Sequence, residues 1–203
     1  MGKYFAIFEK EEKKAPISLQ EGILHSELNI KKPFEPLPTD SGDWRYEINK
    51  EVELPSTLWF ITRDKEYSFD LRFDSGGFFI SKEMLELLNR FKVPDFVFTK
   101  LIILNKKLES ASTKEYFYLK FFNNKDVIDY SKSKIDFDKK GVLKKSWELQ
   151  INSSLVDSDV FMIDNWFYHN RLFCNEEFKA ACIDNQIYGI QFIDSQDSGI
   201  FKN

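Results

Sequence analysis

Two histidines, His25 and His169, and two cysteines, Cys174 and Cys182, are the side chains of this 203-residue chain best suited to metal or nucleophile chemistry. They do not form the close ligand pairs from which zinc ribbons and fingers are built, so no zinc site is expected. His169 and Cys174 lie five residues apart on a stretch that reads as a strand. Their side chains would point to opposite faces, and a Cys–His proton relay would need a bulge. A strand-edge histidine and a core cysteine make fewer demands. Asp95, after Pro94, together with Asp138-Lys139-Lys140 offers the acid, acid and lysine of a metal-dependent nuclease, but such residues are common here and Asp95 already has a turn to make. Gly76-Gly77 is a lone pair in a turn, neither phosphate loop nor dinucleotide fingerprint, and Ser153-Ser154 has no elbow motif around it. No catalytic residue, metal or cofactor is expected.

The remaining chemistry is that of protein recognition. Trp44, Tyr46, Trp166 and Tyr168 fall in loop-rich or strand-edge contexts close to Asp40, Asp43, Asp157, Asp159 and Asp164. Rigid aromatic anchors inside an acidic rim are the usual make-up of a specific protein-binding patch. We therefore take Asp40, Asp43, Trp44, Asp157, Asp159, Asp164 and Trp166 as the candidate contact residues. The competing reading makes these rings part of an aromatic-rich core.

The elements that must carry this patch centre on residues 78–98, echoed without a gap by residues 172–192. Each copy reads as an apolar strand, an N-cap (Ser81, Asn175), a helix of about three turns, a tight turn and a second strand. Glu83, and Glu176 with Glu177, put negative charge where the helix dipole favours it. Met84, Leu87, Leu88 and Phe91 form the apolar stripe of the first helix; Phe178, Ala181 and Cys182 form that of the second. Gly189 occupies the turn position of Asp95, which suggests a shared backbone conformation suited to Gly or Asp.

Around these units Lys3–Phe8 reads as an opening strand and Ala15–Ser56 as loop-rich wrapping that holds five of the six prolines, with Trp44 and Tyr46 on a short strand. Leu58–Thr62 is a strand. Tyr67, Phe69, Leu71 and Phe73 alternate with Ser68, Asp70 and Arg72, which predicts a half-buried strand with its polar face in water. Phe96–Leu104 is almost wholly apolar and predicts a strand covered on both faces. Glu115–Phe122 alternates, and Asn123-Asn124 turns the chain. Residues 126–145, dense in Lys and Asp, read as a solvated, partly irregular surface. Asp159–Asp164 and Trp166–Phe173 read as two strands joined at Asp164-Asn165. The whole is one strand-rich α+β domain, mostly antiparallel sheet with few helices, in which residues 1–56 wrap a core over 57–194.

Composition narrows the function. With 42% hydrophobic residues, 16% aromatic and Phe 21, a packed interior is expected over most of the length. A net charge of −4 and a pI near 5.4 give no electrostatic reason to bind nucleic acid or an anionic membrane. No apolar run approaches a membrane span, and the first apolar stretch is too short for a signal sequence, so a cytoplasmic protein is expected. On a strand-then-helix geometry the two cysteines are on the order of 12 Å apart, beyond disulfide reach, as befits a reducing compartment.

Six segments carry a family resemblance. They are Phe79-Ile80-Ser81-Lys82-Glu83 with its helix, Pro94-Asp95-Phe96-Val97-Phe98, Tyr116–Asn124 with Asp126-Val127-Ile128-Asp129, Val160-Phe161, Leu172–Glu177, and the ending Tyr188-Gly189-Ile190-Gln191-Phe192. Across residues 70–194 the order of these elements resembles the immunity proteins of bacterial polymorphic toxin systems. The resemblance implies a small cytosolic protein that binds a cognate toxin domain and blocks it stoichiometrically, with the repeated units as scaffold and specificity on the loops. It brings no catalytic signature. Two other readings stay open at this point: an adaptor or cargo-binding protein of a secretion apparatus, and an enzyme of unrecognised type.

Overall fold

The computed structural model describes residues 2–19, 22–40, 42–46, 50–63, 66–74, 76–165 and 167–198. In chain order the strands and helices are β1 (Tyr4–Glu9), β2 (Ile23–His25), β3 (Thr57–Thr62), β4 (Leu71–Asp74), β5 (Gly77–Ser81), α1 (Lys82–Leu88), β6 (Phe96–Asn105), β7 (Tyr116–Phe121), β8 (Lys134–Phe137), β9 (Leu143–Glu148), β10 (Val160–Met162), β11 (Leu172–Asn175), α2 (Glu176–Asp184) and β12 (Ile190–Asp194). They form a six-stranded sheet of order β2-β3-β6-β7-β5-β4, a four-stranded sheet of order β10-β11-β1-β12, and the hairpin β8-β9. All pairs are antiparallel except β3 with β6. This is the strand-rich α+β architecture the sequence predicts.

The echo between the two units is structural. Within the larger sheet the run β4-β5-β7-β6 repeats the order and the directions of β10-β11-β1-β12 in the smaller one. Ser81, Ile80, Phe79 and Phe78 face Tyr116, Phe117, Tyr118 and Leu119. Their overlaid counterparts Asn175, Cys174, Phe173 and Leu172 face Tyr4, Phe5, Ala6 and Ile7. The far side agrees as well: Phe98 faces Leu119 as Phe192 faces Ile7. In each unit the strand that ends in the cap runs parallel to the strand that follows the helix, with an antiparallel strand from elsewhere in the chain slotted between.

Both helices start where a side chain satisfies free N–H groups. The Ser81 hydroxyl accepts from Met84 N at 3.1 Å, and Asn175 Oδ1 accepts from Phe178 N at 2.9 Å. α1 is shorter than the three turns predicted; it ends at Leu88, and Phe91 packs on the core from beyond it. Gly189 takes the left-handed conformation, φ 81°, while Asp95 is not among the positive-φ residues, so the two turns differ in conformation.

Three apolar clusters organise the layers. The central one joins Phe5, Ile7, Val160, Leu172 and Cys174 of the small sheet to Leu71, Phe78, Ile80, Leu119 and Phe121 of the large one, with Met84, Leu87, Leu88, Phe178 and Cys182 from the helices. A second, on the outer face of the large sheet, packs Leu58, Phe60, Phe79, Tyr116, Tyr118 and Leu101 under Ala15, Leu19 and Trp44 of the wrapping segment. A third, on the outer face of the small sheet, packs Ala6, Phe161 and Phe173 under Val127, Ile128, Leu143 and Leu149. Each fully buried Leu or Phe here contributes roughly 1.5–3 kcal/mol.

Several expectations need correction. Trp44 sits in a 3-10 turn (Asp43–Arg45), not on a strand. The alternating stretch 67–73 is a strand only from Leu71, and its polar face is buried: Asp70 is 1% exposed and Arg72 0%. Arg72 points five donors at backbone carbonyls, those of Pro16 (2.7 Å), Leu71 (2.7 Å), Gly189 (2.7 Å), Lys10 (3.0 Å) and Ala15 (2.7 Å). Its solvent is replaced by the first wrapping loop and the last turn. Residues 134–148 form a hairpin with two register irregularities instead of irregular surface. The expected strand Trp166–Phe173 begins only at Leu172, residues 167–170 being turns, and Trp166 lies outside the described residues. β6 is covered on one face only: Thr99, Leu101 and Ile103 are buried, whereas Phe98 and Lys100 are exposed and Ile102 and Leu104 half-buried.

Candidate functional site

The groups with chemical potential are placed apart and mostly withdrawn from solvent. Cys174 and Cys182 are free and buried. Burial pushes both thiols upward, Cys182 to about 12, which keeps them protonated and poorly nucleophilic. His169 lies edge-on to Phe73, 6.1 Å between ring centres, while Cys174 is buried in the central core. His25 is fully buried; its Nε2 is 3.1 Å from the Pro33 carbonyl, and burial lowers its pKa. Asp138 accepts from Lys140 N and Val142 N in the hairpin turn, and Asp95 accepts from Asn123 Nδ2 at 3.0 Å at the end of β7. Asp138 therefore holds a local turn and Asp95 ties the start of β6 to the end of β7. Among the described residues no group of three His, Cys, Asp or Glu side chains could hold a metal ion.

The predicted contact residues divide into two kinds. Asp40 is structural: its carboxylate, 1% exposed, accepts from Ser26 N at 2.9 Å and lies 3.9 Å from both His25 Nδ1 and Arg45 Nη2, closing the wrapping segment on β2. Asp159 is structural too. Its Oδ1 accepts from Asn175 Nδ2 (2.7 Å) and its Oδ2 from Lys92 N (2.8 Å), so it steadies the cap of α2 and grips the chain beyond α1. Asp70 makes the reciprocal arrangement: it accepts from the Ser81 hydroxyl at the cap of α1 and from Tyr188 N (2.6 Å) beyond α2. The two units thus hold each other by matched aspartates, one of which, Asp159, is among the expected contact residues.

The others remain at the surface. Asp43 is exposed, and Trp44 is half-buried, edge-on to Tyr118 at 5.3 Å with the Arg45 guanidinium 5.0 Å over its ring. Lys120 Nζ donates to the carbonyls of Trp44 (2.8 Å) and Arg45 (3.1 Å), fixing that turn to β7. Asp157 is exposed and pairs with Lys125 at 2.6 Å; Asp164 is exposed. Trp166 falls outside the described residues.

Two of the hollows among the described residues bear on function. One is a hollow of about 330 Å³ where the two sheets meet, with Ile7, Leu71, Phe78 and Leu172 among its walls. At its rim Glu9 accepts from Phe73 N (2.8 Å), its pKa raised by burial, and Arg171 lies 4.0 Å over the Phe8 ring. The rest of the lining is apolar apart from Asn170, and it contains no nucleophile with a base beside it. The other is a shallow crease past the end of β7. Pro94 and Asn123 line two adjoining depressions, one reaching Glu51, Asp95 and Phe96, the other Lys125, Leu155 and Asp157. Asn123 takes a left-handed φ of 57° to make this corner. Glu51, Asp95 and the Lys125–Asp157 pair lie along it beside half-buried Val93, Phe96 and Val156, a mixed surface suited to gripping another polypeptide.

The sequence profile described as Immunity protein 43 matches residues 8–201, almost the whole chain. No curated protein matches it. A match of that extent takes in the wrapping segment, both repeated units and the hairpin together, and it follows that the chain belongs to the Immunity protein 43 family.

Proposed function

We propose that this protein neutralises a toxin domain by binding it one-to-one and occluding its active site, without catalysing a reaction of its own. The observation that carries this is membership of an immunity family over residues 8–201. The site chemistry supports it: the thiols are buried and protonated, the histidines engaged, and the surface groups that remain are carboxylates and aromatic rings around a crease. A standard interface of roughly 800 Å² per partner, steered by charge, is enough to block an active site. We place the pair in a bacterial polymorphic toxin system and its action in the cytoplasm, where free cysteines stay reduced. The test is co-expression with the toxin domain encoded beside its gene. Cells should survive, and the two proteins should copurify. Killing that proceeds undiminished in its presence would overturn the reading.

A further inference from the structure

An apolar strand run normally signals a strand buried on both sides, yet β6 has one open face. Pairing defines which residues share it. Lys100 of β6 faces Thr57 of β3 and Phe117 of β7; Ile102 faces Trp59; Leu104 faces Ile61; Phe98 faces Leu119. Phe98, Phe96 and Phe117 form one aromatic row, with ring centres 6.1 Å apart for Phe96 and Phe98 and 5.7 Å for Phe98 and Phe117. Phe98 is 49% exposed, Lys100 is exposed, and Trp59, Ile102, Leu104 and Phe117 are half-buried. The same face is covered farther along by α1 and the small sheet, and at β2 by the segment that brings Pro33 onto His25. What stays open is the strip over β3, β6 and β7, about 10 Å from the first strand to the third, which is the width of one helix.

We propose that this strip is where the toxin domain docks, and that it takes an apolar ridge of that domain carrying a carboxylate opposite Lys100. The proposal rests on the toxin-binding reading above and specifies its surface. Charge identifies the occupant. Lys100 is the single charged side chain among these strip residues, it lies between neutral Thr57 and Phe117, and no described carboxylate forms an ion pair with it. A cation amid aromatic rings calls for an anion once solvent is excluded. A second copy of this chain fits poorly, because a two-fold pairing centred on the strip brings Lys100 against Lys100. The strip also runs into the crease: Phe96 belongs to both, and Asp95 beyond it would meet a basic group at the edge of the same footprint.

The experiment is calorimetric titration of the toxin domain encoded beside its gene with wild type, Lys100→Glu, Lys100→Arg, Phe98→Ser and, as a control on the far hairpin, Lys144→Glu. Lys100→Glu and Phe98→Ser should each weaken binding by about 30-fold or more. Lys100→Arg should stay within about threefold of wild type and Lys144→Glu be unchanged. Because Lys100 and Phe98 are exposed, melting temperatures should move by no more than about 2 °C, which separates lost contact from lost fold. Wild-type affinity in both Lys100→Glu and Phe98→Ser would overturn the docking strip and leave the toxin-binding reading standing. A wild type that does not bind the domain at all would overturn both. A wild-type dimer in sedimentation that Lys100→Glu dissociates would also overturn it, in favour of self-association.

Discussion

Arg72 is the residue whose removal should hurt this fold most. It is fully buried, and its guanidinium ties two distant pieces of chain to β4: the first loop, through the carbonyls of Lys10, Ala15 and Pro16, and the last turn, through that of Gly189. Gly189 is matched to it, since a Cβ there would come within 3.1 Å of the Arg72 terminal nitrogens. Burial lowers the Arg72 pKa, and Glu9, Glu12 and Asp70 partly offset that by their charge. Arg72→Met keeps most of the volume and removes every donor. Each stranded carbonyl costs about 1–3 kcal/mol, but water can re-enter at the half-exposed Pro16 and Lys10 side, and the desolvation cost of the cation is recovered. The net loss expected is about 4 kcal/mol, or roughly 8–16 °C in Tm for a domain of this size. Arg72→Lys keeps the charge but only three donors, and should lose about half as much. Denaturant unfolding gives the free energies, and limited proteolysis at Lys10, Lys13 and Lys14 reports whether the first loop has come free. A loss below about 1 kcal/mol for Arg72→Met, with the loop still protected, would refute this account of the pin.

Three further outcomes follow from the same structure. His25 is held below its usual pKa by burial, so as pH falls through about 6.5 the unfolded chain binds a proton that the folded one refuses; stability should drop by up to about 1.4 kcal/mol per pH unit, and His25→Gln should flatten that slope in unfolding curves taken between pH 7.5 and 5. Asp70→Ala strands the buried Ser81 hydroxyl and Tyr188 N and should cost about 3 kcal/mol, whereas Asp159→Ala, whose partners are nearer solvent, should cost about 1 kcal/mol; equal losses would contradict the difference in burial. Cys174 and Cys182 should react with a disulfide reagent only at the rate of unfolding, and rapid labelling of the native protein would show that they are not packed as described.

The local parts of the fold were readable from the chain because local physics makes them. Ser81 and Asn175 cap as predicted, and the two units echo each other down to their strand registers. What was not readable depends on partners distant in sequence. Alternation at 67–73 is the same whether Asp70 and Arg72 face water or distant partners; here Arg72 faces carbonyls supplied by residues 10–16 and 189, and Asp70 accepts from Ser81, Lys114 and Tyr188. The apolar run of β6 is equally ambiguous, since a face kept for a partner has the composition of a face kept for the core. The hairpin 134–148 leaves no clear alternation in the sequence because two irregularities break its register. Among the proposed contact residues, Asp40 and Asp159 are staples and Asp43, Asp157 and Asp164 are surface groups; a carboxylate in a loop carries no mark that separates those uses.

The central claim is that one copy of this protein occupies one toxin domain and performs no turnover on it. The most direct measurement is to titrate the toxin domain's activity with increasing amounts of the protein at concentrations well above the dissociation constant. Residual activity should fall along a straight line to zero at one equivalent, with the toxin recovered chemically intact when the complex is taken apart. Complete inactivation well below one equivalent, or a toxin that emerges covalently altered, would contradict it.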